Sequence, residues 1–552
     1  MRRLATLLLC ALLGCGVERE LAPLLIWVPG GGAQAKRIQA LVAEMGLSAS
    51  FITDREVLSL RPSILRGVKV AVCFDGPGAE LLNSSALAAL PRQGGTLLAA
   101  GQAAVALAPA WGLQARPTED PVLCWSPPVW SRLPPGTYDP ASGAALTYGY
   151  GPKVLSGWRL GNPEGTVWAR DPQGQVRWLE RSVAGGGRLV LAGLPMAAEA
   201  TLGDSFQARL FLERAAELAR LPRLWPTPEA KGVVLVNVHI DSKLQEAYLQ
   251  ELLARWPSHL RGTFHFTAGP DCNQVGDGKG FNVADHTQGG QWVDRFAQLG
   301  EVGPHGGWIH NVWALEGPRM PLARRLGLLD QNFKAMAPWG QPRTYSSPSG
   351  FHPRDINPWL EATGVRGFYH TGEGGCPPTH AWLDGVPFGG TMWAFPLAAL
   401  GASASSFEFK KNRVPEVQVE AWFQALAGYC SRRREAHMVY GHPVDFGDMP
   451  AAYYGGLLRT VDAALAAGQL RSWTLADYAD FQDRRQQVIW SVVTQGQGRV
   501  LHARGPLRGM AFQVPGSWQG PVDQGLAFTR EDGATWVVVK DGRDTLEVKL
   551  WP

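Results

Sequence analysis

The sequence carries little charge, and its apolar residues are not gathered into long runs. Only 18% of its 552 residues are charged, and the net charge of +4 is small for this length. The basic residues are scattered and form no phosphate-binding stripe, so we expect no nucleic-acid partner. Beyond the first residues, no stretch approaches the roughly 20 apolar residues that a membrane-spanning helix needs. We therefore expect a globular chain without a transmembrane helix.

Cysteine is also scarce and irregularly placed. The seven cysteines include no Cys-x-x-Cys pair. Such spacing excludes a zinc ribbon and the dense disulfide framework of small secreted domains. One or two disulfides remain compatible with the pattern in an oxidising compartment.

The N-terminus has the pattern of an export signal. The stretch "MRRLATLLLCALLGC" begins with two arginines, continues with an apolar run and ends at Cys15. The run is too short to span a bilayer as a mature helix, so we interpret residues 1–15 as a signal peptide. Its end resembles a bacterial lipobox, which implies lipidation of Cys15. A plain signal peptide with an incidental cysteine is the alternative.

The lipobox resemblance also implies a location. Gly16, not an aspartate, follows the cysteine. By similarity to Gram-negative lipoproteins, this favours the outer membrane. We therefore expect a protein of the bacterial cell envelope that faces the periplasm or the exterior and is held by its lipid alone.

The length predicts two or three domains. Residues 22–221 alternate short apolar strands such as "PLLIWVPGGG" with helical stretches, which indicates a doubly wound α/β domain. This part weakly resembles the flavodoxin-like domains of the glutamine-amidotransferase-like superfamily. It lacks their glycine-flanked cysteine elbow, because Cys73 lies inside a strand pattern. We expect a structural or binding domain here.

Two further domains follow a proline-containing linker, predicted over residues 222–231. The alternation of strands and helices resumes over 231–485. Residues 486–552 consist of short alternating runs separated by glycine and polar turns. That pattern is typical of a small antiparallel β domain, with a sandwich-like arrangement as the expectation.

Histidine is concentrated in the middle domain, since 11 of the 12 histidines lie between His239 and His442. Four stretches there stand in a specific order. They are "GVVLVNVHIDSK", "LRGTFHFTAGP", "LGEVGPHGGWIHN" and "YSSPSGFHP", the last followed downstream by "HMVYGHPVDF". Together they resemble the motifs of the polysaccharide deacetylase superfamily (NodB-like, carbohydrate esterase family 4-like). The resemblance implies a distorted (β/α) barrel over residues 231–485.

The resemblance also implies a metal site and a reaction. Imidazole and carboxylate are ligands that zinc accepts in catalytic sites. His305, His310 and Asp241 would bind a divalent metal, with zinc as the expected ion. Asp241 would alternatively act as base, and His442 would be the general acid. The predicted activity is hydrolysis of acetyl groups on an envelope or exported polysaccharide. The residues predicted to bind this glycan are Trp308, Ser346, Pro348 and Trp393.

Several residues depart from the family pattern. The family's first motif has two carboxylates, but this chain offers Asp241 alone, and we expect His239 to point to the opposite face of its strand. The ammonium group of Lys243 would repel a cation placed nearby. Ser346 stands where the family has an arginine that orients the base, and Arg343 is a candidate substitute.

These departures leave other functions open. One alternative is a non-catalytic carbohydrate-binding or scaffold protein on a degenerate deacetylase fold. Another is a glycosidase, which needs two carboxylates that flank a sugar. Asp241 with Glu373 or Asp445 would be the candidates for that pair. The sequence leaves the glycan and the oligomeric state open.

Overall fold

The computed structural model describes residues 21–120, 123–146, 157–161, 164–372, 375–447 and 454–552. The predicted lipidation site Cys15 and the carboxylate candidate Glu373 lie outside the described residues. Among the described residues, no helix has both the length and the apolar composition to cross a membrane. All five described cysteines are free thiols, so the structure contains no disulfide between them.

The first part of the chain forms one ten-stranded mixed sheet. Its strands are β1 (Leu24–Trp27), β2 (Ser50–Ile52), β3 (Val70–Cys73), β4 (Thr96–Ala100), β5 (Gln114–Thr118), β6 (Cys124–Trp125), β7 (Gly157–Gly161), β8 (Thr166–Arg170), β9 (Val176–Ser182) and β10 (Arg188–Ala192). Its helices are α1 (Gly32–Glu44), α2 (Asp54–Ser59), α3 (Gly101–Leu107), α4 (Pro127–Trp130), α5 (Met196–Ala200) and α6 (Phe206–Leu218).

Five strands of this sheet are parallel, in the order β2-β1-β3-β4-β10. Both faces of the parallel part are buried. Leu24 and Ile26 contribute to an apolar core on one face, and Leu25 and Trp27 to a core on the other. Burial on both faces explains why "LLIW" is continuously apolar. Beyond β10 the sheet continues in antiparallel strands, an extension that the sequence pattern does not predict.

The middle part contains two parallel sheets and the candidate site. Its strands are β11 (Arg223–Leu224), β12 (Gly232–Ile240), β13 (Gly262–Phe266), β14 (Gly300–Pro304), β15 (Thr344–Tyr345), β16 (Gly367–His370), β17 (Trp382–Leu383), β18 (Val386–Pro387), β19 (Trp393–Pro396), β20 (Ala436–Gly441) and β21 (Leu470–Arg471). Its helices are α7 (Glu246–Arg255), α8 (Gln291–Ala297), α9 (His310–Glu316), α10 (Leu322–Met336), α11 (Asn357–Ala362), α12 (Ser406–Lys411), α13 (Glu416–Arg433), α14 (Pro443–Gly447), α15 (Tyr454–Ala466) and α16 (Leu475–Gln486).

The two parallel sheets contact each other at two places. One has the order β14-β13-β12-β20, with β21 on β12, and the other has the order β15-β16-β19. Single parallel bridges join them, His305 with Ser346 and Leu397 with Met438. The described residues therefore contain two sheets in contact rather than one closed barrel, and the predicted barrel is not confirmed in that form.

The last part contains six antiparallel strands. They are β22 (Ile489–Gln495), β23 (Gly498–Arg504), β24 (Ala511–Pro515), β25 (Leu526–Glu531), β26 (Ala534–Val539) and β27 (Thr545–Leu550). Two sheets, β22-β23-β27 and β24-β26-β25, share an apolar core that includes Leu501 and Val537. The short strand β11 extends the second sheet by pairing with β24. Part of the segment predicted as a linker therefore belongs to this sheet.

Candidate metal centre

The candidate residues follow the carboxyl ends of neighbouring parallel strands. Asp241 directly follows β12, His305 follows β14, Ser346 follows β15 and His442 follows β20. His310 is the first residue of α9, five positions after His305. All nine residues of β12 are buried, which fixes the strand and holds Asp241 at its edge. Carboxyl ends of parallel strands are where such folds assemble their chemistry.

The structure brings three of these residues together. One ligand atom from each of Asp241, His305 and His310 lies within 4.8 Å of the other two. Asp241 Oδ1 is 3.3 Å from His305 Nε2 and 3.5 Å from His310 Nε2. The His305 side chain is 1% exposed, and those of His310 and Asp241 are 15% and 17% exposed. The cluster is therefore largely buried, and solvent reaches only part of His310 and Asp241.

Hydrogen bonds at Nδ1 orient both imidazoles so that Nε2 faces Asp241. His310 Nδ1 donates to Asn311 Oδ1 at 2.7 Å, and Asn311 Nδ2 donates onward to Asn273 Oδ1. A neutral His310 therefore has its lone pair on Nε2, which faces Asp241. His305 Nδ1 is hydrogen-bonded to Ser346 Oγ at 2.6 Å. Its Nε2 also faces the carboxylate.

The donor set fits a cation. Asp241 Oδ1 is buried and has no hydrogen-bond partner among the described residues. An orphaned carboxylate oxygen is costly to bury. A divalent cation held by this oxygen and the two imidazoles would remove that cost. One carboxylate and two imidazoles are ligands of the type that zinc accepts.

Electrostatics keeps these groups in ligand form. Burial alone would raise the pKa of Asp241, but the imidazoles of His310, His442 and His305 outweigh it and lower the pKa below its ordinary value. Burial lowers the pKa of His305 to about 4, although the Asp241 carboxylate opposes this shift. At neutral pH Asp241 is therefore ionised and His305 is uncharged, as a metal site requires.

His442 lies on the other side of Asp241, at 3.7 Å from His442 Nε2 to Asp241 Oδ2. Its Nδ1 is 3.4 Å from Asp445 Oδ2, and its backbone N–H donates to the same oxygen at 2.6 Å. Burial lowers the pKa of His442, but the carboxylates of Asp241 and Asp445 prevail and raise it to about 9. Without a bound cation, His442 is therefore protonated at neutral pH and able to donate a proton.

The expectation for His239 is wrong. Residues two apart on a strand share a face, so His239 lies on the same side as Asp241. Its ring centroid is 4.4 Å from that of His305 and 5.7 Å from that of His442. His239 therefore belongs to the site, next to the rings of His305 and His442.

The charged side chains of Lys243 and Arg343 both lie away from the cluster. Lys243 begins a short 3-10 turn and is exposed, so its ammonium group does not occupy the cluster. Arg343 forms an ion pair with Asp480 and is not available to orient Asp241. In its place, Gln245 Nε2 donates to Asp241 Oδ2 at 3.2 Å. The signal in the sequence for this contact is a glutamine four residues after the carboxylate, which the family motif does not include.

Three of the four residues predicted to bind glycan are instead buried in the protein. Ser346 is fully buried against His305, so it supports the site from behind. Pro348 is buried against Gly306, where φ is 63° and a Cβ would lie 2.5 Å from Pro348 Cδ. Trp393 is 1% exposed, and its Nε1 donates to Asp483. None of the three offers a surface to a sugar ring.

Trp308 is different, because it is only half-buried and lies on the loop between His305 and His310. Part of its ring packs against the core beneath. Its contact with a glycan stays a prediction. Trp313, on α9, is fully buried and donates to Ser347 Oγ, so it is a core residue.

Comparison with known proteins adds remote similarities. No family model and no curated protein matches the chain. The solved structure of Agd3, a novel carbohydrate deacetylase, is 10% identical over 96% of this chain and 98% of its own, with a TM-score of 0.43. A polysaccharide deacetylase from Bacillus cereus is 15% identical over 44% of this chain and 92% of its own (TM-score 0.25). A 4-alpha-glucanotransferase from Thermococcus litoralis is 13% identical over 45% and 40% (TM-score 0.31). The structural neighbours thus include carbohydrate deacetylases, but since all three TM-scores are below 0.5, we base the function on the geometry of the site.

Proposed function

We propose that the protein is a metal-dependent carbohydrate deacetylase. The observation that carries the proposal is the buried, unpartnered Asp241 Oδ1 atom, which faces the Nε2 atoms of His305 and His310. These three residues would hold the cation, with zinc as the proposed ion. A bound divalent cation lowers the pKa of water toward neutrality and polarises a carbonyl oxygen. The motif order in residues 231–485 supports an acetylated glycan as the substrate.

The remaining chemistry is proton transfer by this chain's own residues. Water adds to the acetyl carbonyl carbon, and its proton passes to Asp241 Oδ2, the oxygen that faces His442. Protonated His442 gives its proton to the leaving nitrogen or oxygen as the acyl bond breaks. Acetic acid and a free amine or hydroxyl are the products, and the acid releases its proton to water to become acetate. Transfer of the proton from Asp241 Oδ2 to His442 Nε2 then restores both groups. Asp445 keeps the His442 ring in the required orientation.

The single carboxylate in the cluster favours a second candidate, a non-catalytic glycan-binding or scaffold protein. In that case the same three side chains would bind a metal or none, without hydrolysis. A glycosidase is less well supported, because Asp445 is engaged by His442 and by the Ser406 hydroxyl. It is therefore not free to act as a second carboxylate on a sugar.

The test uses the purified full chain. Metal content and acetate release are measured with acetylated amino-sugar oligomers and O-acetylated glycans. The deacetylase proposal expects bound zinc and acetate release, loss of both in His305→Ala and His310→Ala, and loss of acetate release alone in His442→Ala. Glycan binding that persists without acetate release in the wild type would favour the binding protein. A metal-free, inactive wild type would refute the deacetylase proposal.

We also propose that the protein is anchored in the bacterial cell envelope by lipidation of Cys15. The basic and apolar N-terminal segment and its resemblance to a lipobox support this proposal. Labelling with a radioactive fatty acid is expected to mark the wild type and not Cys15→Ser, which would be found in the soluble fraction. An unlabelled wild type would leave a plain signal peptide as the explanation.

A further inference from the structure

A chain of hydrogen bonds runs through the interior beneath the metal centre. The carboxamide of Asn237 lies between two imidazoles, 3.1 Å from His239 Nε2 and 2.8 Å from His265 Nδ1. His265 Nε2 is 3.0 Å from Thr344 Oγ1, and Thr344 Oγ1 is 2.6 Å from Glu301 Oε1. The chain connects strands β12, β13, β15 and β14.

This hydrogen-bond chain is unusual because it lies in the protein interior. Asn237, His265 and Thr344 are all 0% exposed, in the space where the strands of such a fold usually place branched apolar side chains. Each of these polar groups would be costly to bury alone. Linked together they satisfy one another, and a satisfied buried network holds its members in one arrangement.

The two ends of this hydrogen-bond chain have different surroundings. One end is His239, whose ring lies 4.4 Å from His305 and 5.7 Å from His442 between centroids. The other end is Glu301, whose Oε2 accepts hydrogen bonds from Ala476 N at 3.0 Å and Thr263 Oγ1 at 3.1 Å. Ala476 is in the first turn of α16, so the far end is tied to a fixed part of the fold.

We propose that Thr344, His265 and Asn237 are positioning residues for the metal centre, acting through His239. Ring contacts alone leave an imidazole free to turn about its side-chain bond, whereas a hydrogen bond at Nε2 selects one orientation. His239 then presents a fixed face to His305 and a fixed edge to His442. The proposal rests on the deacetylase function, because His442 must stay aligned with Asp241 for proton transfer.

The decisive variant is Thr344→Val, which has nearly the same shape and removes the hydroxyl that links His265 to Glu301. We expect kcat for acetate release to fall about tenfold or more, since small displacements of catalytic groups are costly, while KM changes little. Bound Co²⁺ serves as a second readout. Its visible absorption is expected to change shape, because the surroundings of His305 change.

Two further variants separate positioning from stability. Thr344→Ser keeps the hydroxyl and is expected to recover wild-type kcat and the wild-type Co²⁺ spectrum. Thr535→Val removes a matched buried hydroxyl in β26, which accepts from Trp518 N and donates to Gly516 O, and is expected to leave both readouts unchanged. If Thr344→Val does not fold, His265→Gln breaks the same chain and is measured in its place.

The outcomes distinguish the two proposals. A wild-type protein that neither binds Co²⁺ nor releases acetate defeats the deacetylase function itself. A wild type that does both, together with Thr344→Val that matches it in kcat and in Co²⁺ spectrum, defeats only the positioning role. Loss of kcat in Thr344→Val that Thr344→Ser does not restore also contradicts that role.

Discussion

Ser346 Oγ lies 2.6 Å from His305 Nδ1, and the same two residues form one of the two bridges that join the two parallel sheets. The serine thus supports a metal-ligand candidate at the position where the family resemblance implies an arginine. Hydrogen bonds to the outer nitrogen of a metal-bound histidine fix the ring and raise its basicity. This contact explains how the site is organised without the arginine.

Ser346→Ala should therefore weaken metal binding. The variant removes the partner of His305 Nδ1 inside a fully buried space, so the ring loses its fixed orientation. We expect the affinity for Zn²⁺ to fall about tenfold or more. Competition with a chromophoric chelator measures it. Ser349→Ala, an exposed serine on the same turn, is the control, and equal affinities in the two variants would contradict the assigned role.

Asp445→Asn should lower the pKa of His442 in the metal-free protein. The carboxylates of Asp241 and Asp445 together overcome the effect of burial and raise this pKa to about 9. Removal of one negative charge makes the imidazolium less stable, so the pKa falls. NMR titration of the His442 ring protons follows the shift. In the active enzyme we expect lower kcat, because the ring also loses its orienting partner. An unchanged pKa would show that Asp445 does not act on His442 in this way.

Some of this site follows from the sequence and some does not. The resemblance implied that Asp241, His305 and His310 would converge on a metal, and the structure brings the three side chains together. The orientation of His239 was wrong, although the two-residue period of a strand places it beside Asp241. The partner of His305 was not predictable, since 41 residues separate Ser346 from it and only the pairing of the segments that follow β14 and β15 brings them together.

The sequence was also a poor guide to which residues could contact a glycan. An aromatic or small residue near a motif is compatible with either a binding surface or a core. Trp393 is buried because β19 is covered on both sides, and its indole N–H is satisfied by Asp483 on α16. That pairing joins residues 90 positions apart, so neither composition nor periodicity reveals it. The antiparallel extension of the first sheet depends in the same way on pairings between distant segments.

Glu301 should make stability depend on pH. Burial raises the pKa of Glu301 to about 7, although hydrogen bonds from Thr344 and Ala476 oppose the shift. The folded state therefore holds this proton more tightly than the unfolded state, where the pKa is near 4.5. The associated stability is fully present below pH 4.5 and is lost as the pH rises through 7, by about 3 kcal/mol.

Urea unfolding of the wild type and Glu301→Gln at pH 5 and pH 8 tests this dependence. The glutamine does not titrate, so the variant should lose less stability between the two pH values than the wild type. Glu316→Gln changes an exposed glutamate at the end of α9 and is the matched control, expected to follow the wild type. Parallel curves for the wild type and Glu301→Gln would rule out a raised pKa at Glu301.

Metal binding should stabilise the folded protein through Asp241, His305 and His310. A ligand that binds only the folded state adds about 2.7 kcal/mol at a free concentration of 100 times its Kd. Thermal unfolding with and without Zn²⁺ should show a higher Tm with the metal, and a chelator should reverse it. Asp241→Asn keeps the size of the side chain but removes the charge that the cation needs, so the shift should vanish. The metal-free variant should itself be less stable than the metal-free wild type, because the imidazoles lower the pKa of Asp241 in the folded state and the ionised carboxylate therefore stabilises it. A zinc-dependent Tm shift of full size in Asp241→Asn would mean that the cation binds elsewhere, and the proposed centre would then have to be abandoned.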